Sequence, residues 1–229
     1  MSADARLEEL LDEALECLEA GRNEDARSFA AEATQHAPED PEGWEYLGTA
    51  LWRLGSIQEA ADAFQHWRDL APLSRAAHRS LAGALFRLGE YDRVEEACST
   101  MSKHWPNDPY CFVLLANVKY KQGQEYRSIL DHAFARDPQI AGELLTRLFD
   151  FRRPECPPGP PLNPDEAARA VGISTERLLK LAEGHRVPHH RTEAGQPVFY
   201  QPEITAWRDT LSRYGLFPPD LARQPKRRR

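Results

Sequence analysis

The sequence predicts a mainly α protein: an N-terminal solenoid of about four helical hairpins with a capping helix, then a small helical module carrying a two-stranded wing. Three observations carry this prediction. Gly21, Gly55, Gly89 and Gly123 recur at a spacing of 34 residues, and Pro38, Pro72 and Pro106 keep the same period. A period of that length is what stacked helical pairs leave in a sequence. The run RRPECPPGPP, residues 152–161, halts helical patterning with five prolines and reads as a stiff spacer. Beyond it, short apolar-periodic segments alternate with turn residues, and Val187-Pro188 and Pro197-Val198-Phe199-Tyr200 flank a turn at Gly195.

The second hairpin is the clearest. In PEGWEYLGTALWRLGSIQEAADAFQHWRDLAP, residues 41–72, Trp44, Leu47, Gly48 and Leu51 share one face of a first helix. Ala60, Phe64 and Trp67 share one face of a second, at the three- and four-residue steps of amphipathic helices. Gly48 and Ala60 are small where the two helices approach, and Gly55 breaks the chain at the turn between them. These residues and their registered copies make residues 1–151 resemble a tetratricopeptide repeat array. The pattern W-x-x-L-G-x-x-L…G…A-x-x-x-F…P stands in 41–72. Residues 7–40 place Leu10, Ala14, Leu18, Gly21, Ala26, Ala30, Ala33 and Pro38 at matching positions. Residues 75–108 place Leu81, Ala82, Leu85, Gly89, Val94, Cys98 and Pro106 there. Residues 109–140 are a poorer copy, with Phe112, Leu115, Ala116 and Gly123; Ser128 and His132 stand at its small and aromatic core positions, and Pro138 arrives two residues early. IAGELLTRLFDF, residues 140–151, then reads as an apolar capping helix.

The resemblance implies which side chains line a groove on the first helices. The fifth position of each repeat gives Glu45, Arg79 and Val113; the twelfth gives Trp52, Phe86 and Tyr120; the thirteenth gives Arg53, Arg87 and Lys121, with Asn117 nearby. A row of aromatics thus runs beside a row of cations, which suits a protein partner and in particular an extended acidic peptide. The same aromatics equally suit packing between repeats, and the same cations equally suit solvated surface.

In residues 162–217, Asn163 or Asp165 can cap a short helix with Pro164 in its first turn, and Ala167, Ala168 and Val171 form its apolar face. Gly172 permits a sharp turn, and Ser174 can cap the next helix, whose Leu178, Leu179 and Leu181 point to a core. Gly184 ends that helix, and Pro202 starts a last one carrying Ile204 and Trp207. Leu162, Glu166, Ala167, Ala168, Gly172, Ile173, Ser174, Val187, Pro188 and Trp207 stand in the order of a winged helix-turn-helix, so the segment resembles the excisionase and MerR-like group. That resemblance implies duplex DNA as the candidate partner. Ser174, Thr175, Arg177 and Lys180 fall on the presumed recognition helix; Arg186, His189, His190 and Arg191 surround the wing; and the basic tail, residues 218–229, adds Lys226, Arg227, Arg228 and Arg229. Against strong phosphate attraction, residues 162–213 hold seven basic and seven acidic side chains.

Residues 1–150 carry 15 basic and 27 acidic residues, whereas 151–229 carry 14 basic and 9 acidic, so the halves suit different partners. The first residues, MSADARLEEL, lack the apolar core of a signal peptide, and no run approaches membrane-spanning length. A bacterial cytoplasmic or nucleoid-associated protein with no membrane contact is expected. Cys17, Cys98, Cys111 and Cys156 lack metal-site spacing, and the first three fall in helical patterns as small core residues. His185, His189 and His190 find no nearby cysteine to complete a zinc set. With no phosphate loop, nucleophile motif or paired carboxylates in context, neither enzymatic activity nor a cofactor is expected. The expected role is a DNA-binding adaptor or regulator whose repeats bind a protein. The alternative is a scaffold in which both parts mediate protein association, including homo-oligomers.

Overall fold

The computed structural model describes residues 3–152 and 159–218. It is mainly α, with paired helices and one short two-stranded element near the C-terminal end. The chain forms two compact units, which divide between Pro106 and Asn107.

The first unit holds three hairpins: α1 (Ala3–Ala20) with α2 (Asn23–His36), α3 (Pro41–Leu54) with α4 (Ile57–Leu70), and α5 (Arg75–Leu88) with α6 (Tyr91–His104). Gly55 ends α3 at φ +87° and Gly89 ends α5 at φ +78°, a left-handed backbone that a side chain would strain. The helices also start in register. Asp40 accepts the amides of Glu42 and Gly43, with Pro41 in the first turn, and one period later Ser74 accepts the amide of Ala77. Trp44 Nε1 donates to the Pro38 carbonyl at 2.8 Å, and His78 Nε2 does the same to Pro72 at 3.0 Å. The periodic proline therefore supplies a fixed acceptor for whatever ring nitrogen stands six residues later.

Packing within the hairpins explains the small residues. Gly48 lies against the buried Phe64 so closely that a Cβ would come within 2.5 Å of the ring. One period on, Ala82 and Cys98 occupy these positions and are both buried, so volume moves from one helix to the other. Gly48→Ala is therefore expected to destabilise. The ring must shift in a filled core at a cost of about 1–3 kcal/mol, against a helix-propensity gain of about 1 kcal/mol. A thermal melt should show a lower midpoint; an unchanged or higher one would mean that Phe64 yields freely.

In the second unit, α7 (Pro109–Lys121) pairs with α8 (Arg127–Arg136), followed by α9 (Pro138–Leu148). Asp108 caps α7 at the amide of Tyr110. Tyr126, which precedes α8, and Leu130 and Ala133 on α8 are buried, whereas Ser128 and His132 are exposed. The sequence alignment of this copy was thus two residues out of step. Val94, Cys98 and Met101 correspond to Tyr126, Leu130 and Ala133 at a spacing of 32, which also accounts for the early Pro138.

Next come α10 (Pro164–Val171), α11 (Thr175–Glu183), β1 (His190–Arg191), β2 (Pro197–Val198) and α12 (Gln201–Arg213). Asn163 makes a full capping box with Glu166, Gly172 takes the left-handed turn, and Ser174 caps α11. The strands pair antiparallel, His190 opposite Val198 and Arg191 opposite Pro197. Leu162 and Phe199 add a two-bond bridge that ties the start of this segment to the wing.

One continuous core runs from Val113 and Ala116 on α7, through Leu130, Leu145 and Phe151, to Leu178, Phe199, Trp207 and Leu211. The contacts along it are specific. The Tyr126 and Thr210 hydroxyls bond at 2.8 Å in the interior. Arg213 grips Asp131 with two donors, at 3.1 and 2.5 Å, and Tyr214 donates to the same carboxylate at 2.8 Å. The Tyr214 and Phe134 rings stack with centroids 3.8 Å apart. The last helix is therefore cemented to the terminal hairpin. Most of the proline-rich run, residues 153–158 with Cys156, lies outside the described residues.

Candidate functional site

The twelfth and thirteenth repeat positions lie at the C-terminal ends of α3, α5 and α7, because each first helix stops there at its turn. In the first unit Trp52 and Phe86 are partly exposed, and Arg53 and Arg87 are exposed. The Arg87 guanidinium lies over the Trp52 ring, 4.9 Å from its centroid. Arg53 Nη1 donates to the Leu18 carbonyl at 2.5 Å, close to the end of α1. Phe86 meets Tyr91 at 5.8 Å. Arg79, near the start of α5, is partly exposed. The cation of one hairpin thus rests on the helix end or aromatic of the hairpin before it.

In the second unit the equivalent side chains are engaged with the chain itself. The short segment that follows α9 crosses them. Asn117 Nδ2 donates to the Leu148 carbonyl at 3.0 Å, and Tyr120 OH donates to the Phe151 carbonyl at 2.9 Å. Lys121 Nζ bonds to Asp150 at 2.8 Å and to the Arg152 carbonyl. Tyr120 is flanked by Phe149 and Phe151, with centroids 5.7 and 5.6 Å away. Lys121 keeps only 7% of its side chain exposed, against 30% for Asp150. Burial lowers the Lys121 pKa, and the Asp150 hydrogen bond only partly restores it. Burial alone would raise the Asp150 carboxyl, but hydrogen bonds from Arg152 and Lys121 outweigh it and hold the carboxyl below its ordinary value.

Sequence reasoning missed Phe149, Asp150 and Phe151, because residues 140–151 read as one capping helix. The helix ends at Leu148, and Phe149 is extended at φ −75°, ψ 113°. The available signal was the alternation Phe-Asp-Phe, which puts two rings on either side of a charge and suits an extended chain better than a helix face.

Of the residues expected to contact DNA, Ser174, Thr175, Lys180, His189, His190 and Arg191 make bonds within the fold. Ser174 Oγ caps α11 at the Arg177 amide, and Thr175 Oγ1 donates to Asp165 at 2.7 Å. Lys180 pairs with Glu176 at 2.7 Å on the same helix face, so their charges cancel locally. Arg177 and Arg186 are partly buried. His189 is 6% exposed, bonds to the Val187 carbonyl at 3.0 Å and has a pKa lowered chiefly by burial. His190 bonds at 2.9 Å to Glu203, which is fully buried in α12, and Arg191 braces the wing turn at the Gly195 carbonyl. Lys226, Arg227, Arg228 and Arg229 lie outside the described residues.

Cys17, Cys98 and Cys111 are buried free thiols. Burial pushes the Cys111 thiol up to about 11, away from the thiolate a nucleophile needs. Among the described residues, no group of three His, Cys, Asp or Glu side chains could hold a metal ion. Among them too, no helix is long and apolar enough to cross a membrane.

Comparison with known proteins matches this geometry. The tetratricopeptide repeat family model matches residues 11–74. A MamA structure, residues 41 to the end from Desulfovibrio magneticus RS-1, is 22% identical with a TM-score of 0.53, covering 62% of this chain and 82% of that one. Two further MamA crystal structures have TM-scores of 0.55. One is 20% identical, covering 59% of this chain and 80% of that one, and the other is 21% identical, covering 61% and 78%. These likenesses show the fold. The chain is mainly helical, and its paired helices resemble tetratricopeptide hairpins. The expected DNA-binding, MerR-like regulator is thereby corrected. The likenesses found are to the tetratricopeptide repeat model and to MamA structures.

Proposed function

We propose that this chain is a non-enzymatic scaffold whose repeats hold an extended segment of a partner protein. The observation that carries this is the repeated pairing of an accessible aromatic with an accessible cation on consecutive first helices, Trp52 with Arg53 and Phe86 with Arg87. Aromatic faces supply apolar area at little entropic cost, and guanidinium groups supply charge-assisted bonds to carboxylates and carbonyls. Arg79, half a helix away on α5, supplies a further cation at the fifth position.

The test is selection from a random peptide library displayed against the full chain. Peptides enriched on the native chain should lose at least about tenfold in affinity, or about 1.4 kcal/mol, when Arg87→Glu is introduced. A library yielding no binder, or only binders indifferent to Arg87→Glu and Trp52→Ala, would remove this reading.

A further inference from the structure

The terminal hairpin displays what its groove positions accept. Phe149 and Phe151 flank the twelfth-position ring of Tyr120, and the carboxylate between them meets the thirteenth-position cation, Lys121. Asn117, Tyr120 and Lys121 take the carbonyls of residues 148, 151 and 152. Bonds to carbonyls accept any sequence, so discrimination rests on the two rings and the carboxylate. The same two positions hold Trp52 with Arg53 and Phe86 with Arg87 in the preceding hairpins, each one period of 34 residues earlier. The Arg87 guanidinium carbon lies over the Trp52 ring, 4.9 Å from its centroid, and a guanidinium carries five N–H donors, which suit a carboxylate.

We propose that the second and third hairpins take an extended partner segment in which one acidic residue lies between two aromatic residues, the chemistry that Phe149-Asp150-Phe151 shows on the fourth. This rests on the scaffold reading above and narrows it to one ligand class. The chain's own segment fills the fourth hairpin, so a partner segment engages the preceding two.

The probe is a fluorescein-labelled peptide with the sequence of residues 146–152, Thr-Arg-Leu-Phe-Asp-Phe-Arg, titrated against the full chain by anisotropy. Saturable binding is expected, weakened about tenfold when the peptide's Asp becomes Asn and also when both Phe become Ala. Arg87→Ala in the chain should weaken binding by a similar factor, and Arg87→Lys should restore part of it. Arg87 is exposed, and a circular dichroism melt of each variant verifies that it folds. Binding that ignores Arg87→Ala would mean exchange with the chain's own segment and would overturn the proposal. Equal binding of the Asn peptide would overturn it too. If this peptide fails while library peptides of other chemistry bind, the ligand class is wrong and the scaffold reading stands; if no peptide of any kind binds, both fall.

Discussion

Trp207→Ala is expected to destabilise the whole second unit by about 3–5 kcal/mol, the usual cost of removing a large buried aromatic. Trp207 is 2% exposed and belongs to the core that also holds Val113 and Tyr120 of α7 and Leu130 of α8. It meets Phe217 edge to face at 5.3 Å, beside the Tyr214 and Leu216 side chains that pack on Phe134 and Gly142. Loss of the indole should therefore be felt in the terminal hairpin as well as around the wing. Native-state hydrogen exchange would show it: amides of α7 and α8 should lose protection together with those of α10 to α12. If only α10 to α12 became labile while α7 and α8 stayed protected, the shared core would not be one cooperative unit.

Asp150→Ala should cost about 2 kcal/mol. Breaking a buried ion pair by removing one partner costs about 3–5 kcal/mol when both charges are deeply buried, and Asp150 retains partial exposure that softens this. The lysine left behind has little access to water. Adding Lys121→Met to Asp150→Ala should recover much of the loss, because an apolar side chain carries no stranded charge. A double-substitution cycle in urea would measure it, and equal stability of the single and double variants would show that Lys121 finds other solvation. The same pair predicts acid sensitivity. The Asp150 carboxyl is held below its ordinary value in the fold, so its contribution is present above the unfolded value of about 4. It is lost as the pH falls through the lower folded value. Asp131 is lowered too, chiefly by its hydrogen bond from Arg213, and works in the same direction. Asp150→Asn should therefore flatten part of the acid-side slope and leave the part due to Asp131.

The first three hairpins were legible because their determinants are local. Glycine with positive φ, an N-cap two residues beyond a proline, and small residues opposite large ones all act within one repeat, and repetition multiplies the signal. The fourth hairpin was misread by two residues because its copy had lost that regularity. Only burial showed that Tyr126 and Leu130, and not Ser128 and His132, face inward. The DNA reading failed for a different reason. Residues such as Thr175, His189 and Arg191 have the right chemistry for phosphate or base contact, but that chemistry serves the fold as well, and a sequence does not tell the two uses apart. Thr175 bonds to Asp165, His189 to the Val187 carbonyl, and one of the five Arg191 donors to the Gly195 carbonyl.

By itself the sequence determined a mainly α chain of repeated hairpins, the turns of the first three, and the 34-residue recurrence of an aromatic beside a cation, because periodicity and capping depend on neighbours in the chain. Only the tertiary structure decided which of those rows remains accessible. Asn117, Tyr120 and Lys121 are closed by residues 148–152, whereas Trp52, Arg53, Phe86 and Arg87 keep exposed surface. It also decided that α12 completes the core of the terminal hairpin. Both outcomes depend on contacts between residues about 30 to 85 positions apart, where the burial of rings and the pairing of a charge are set by which surfaces meet and not by local spacing.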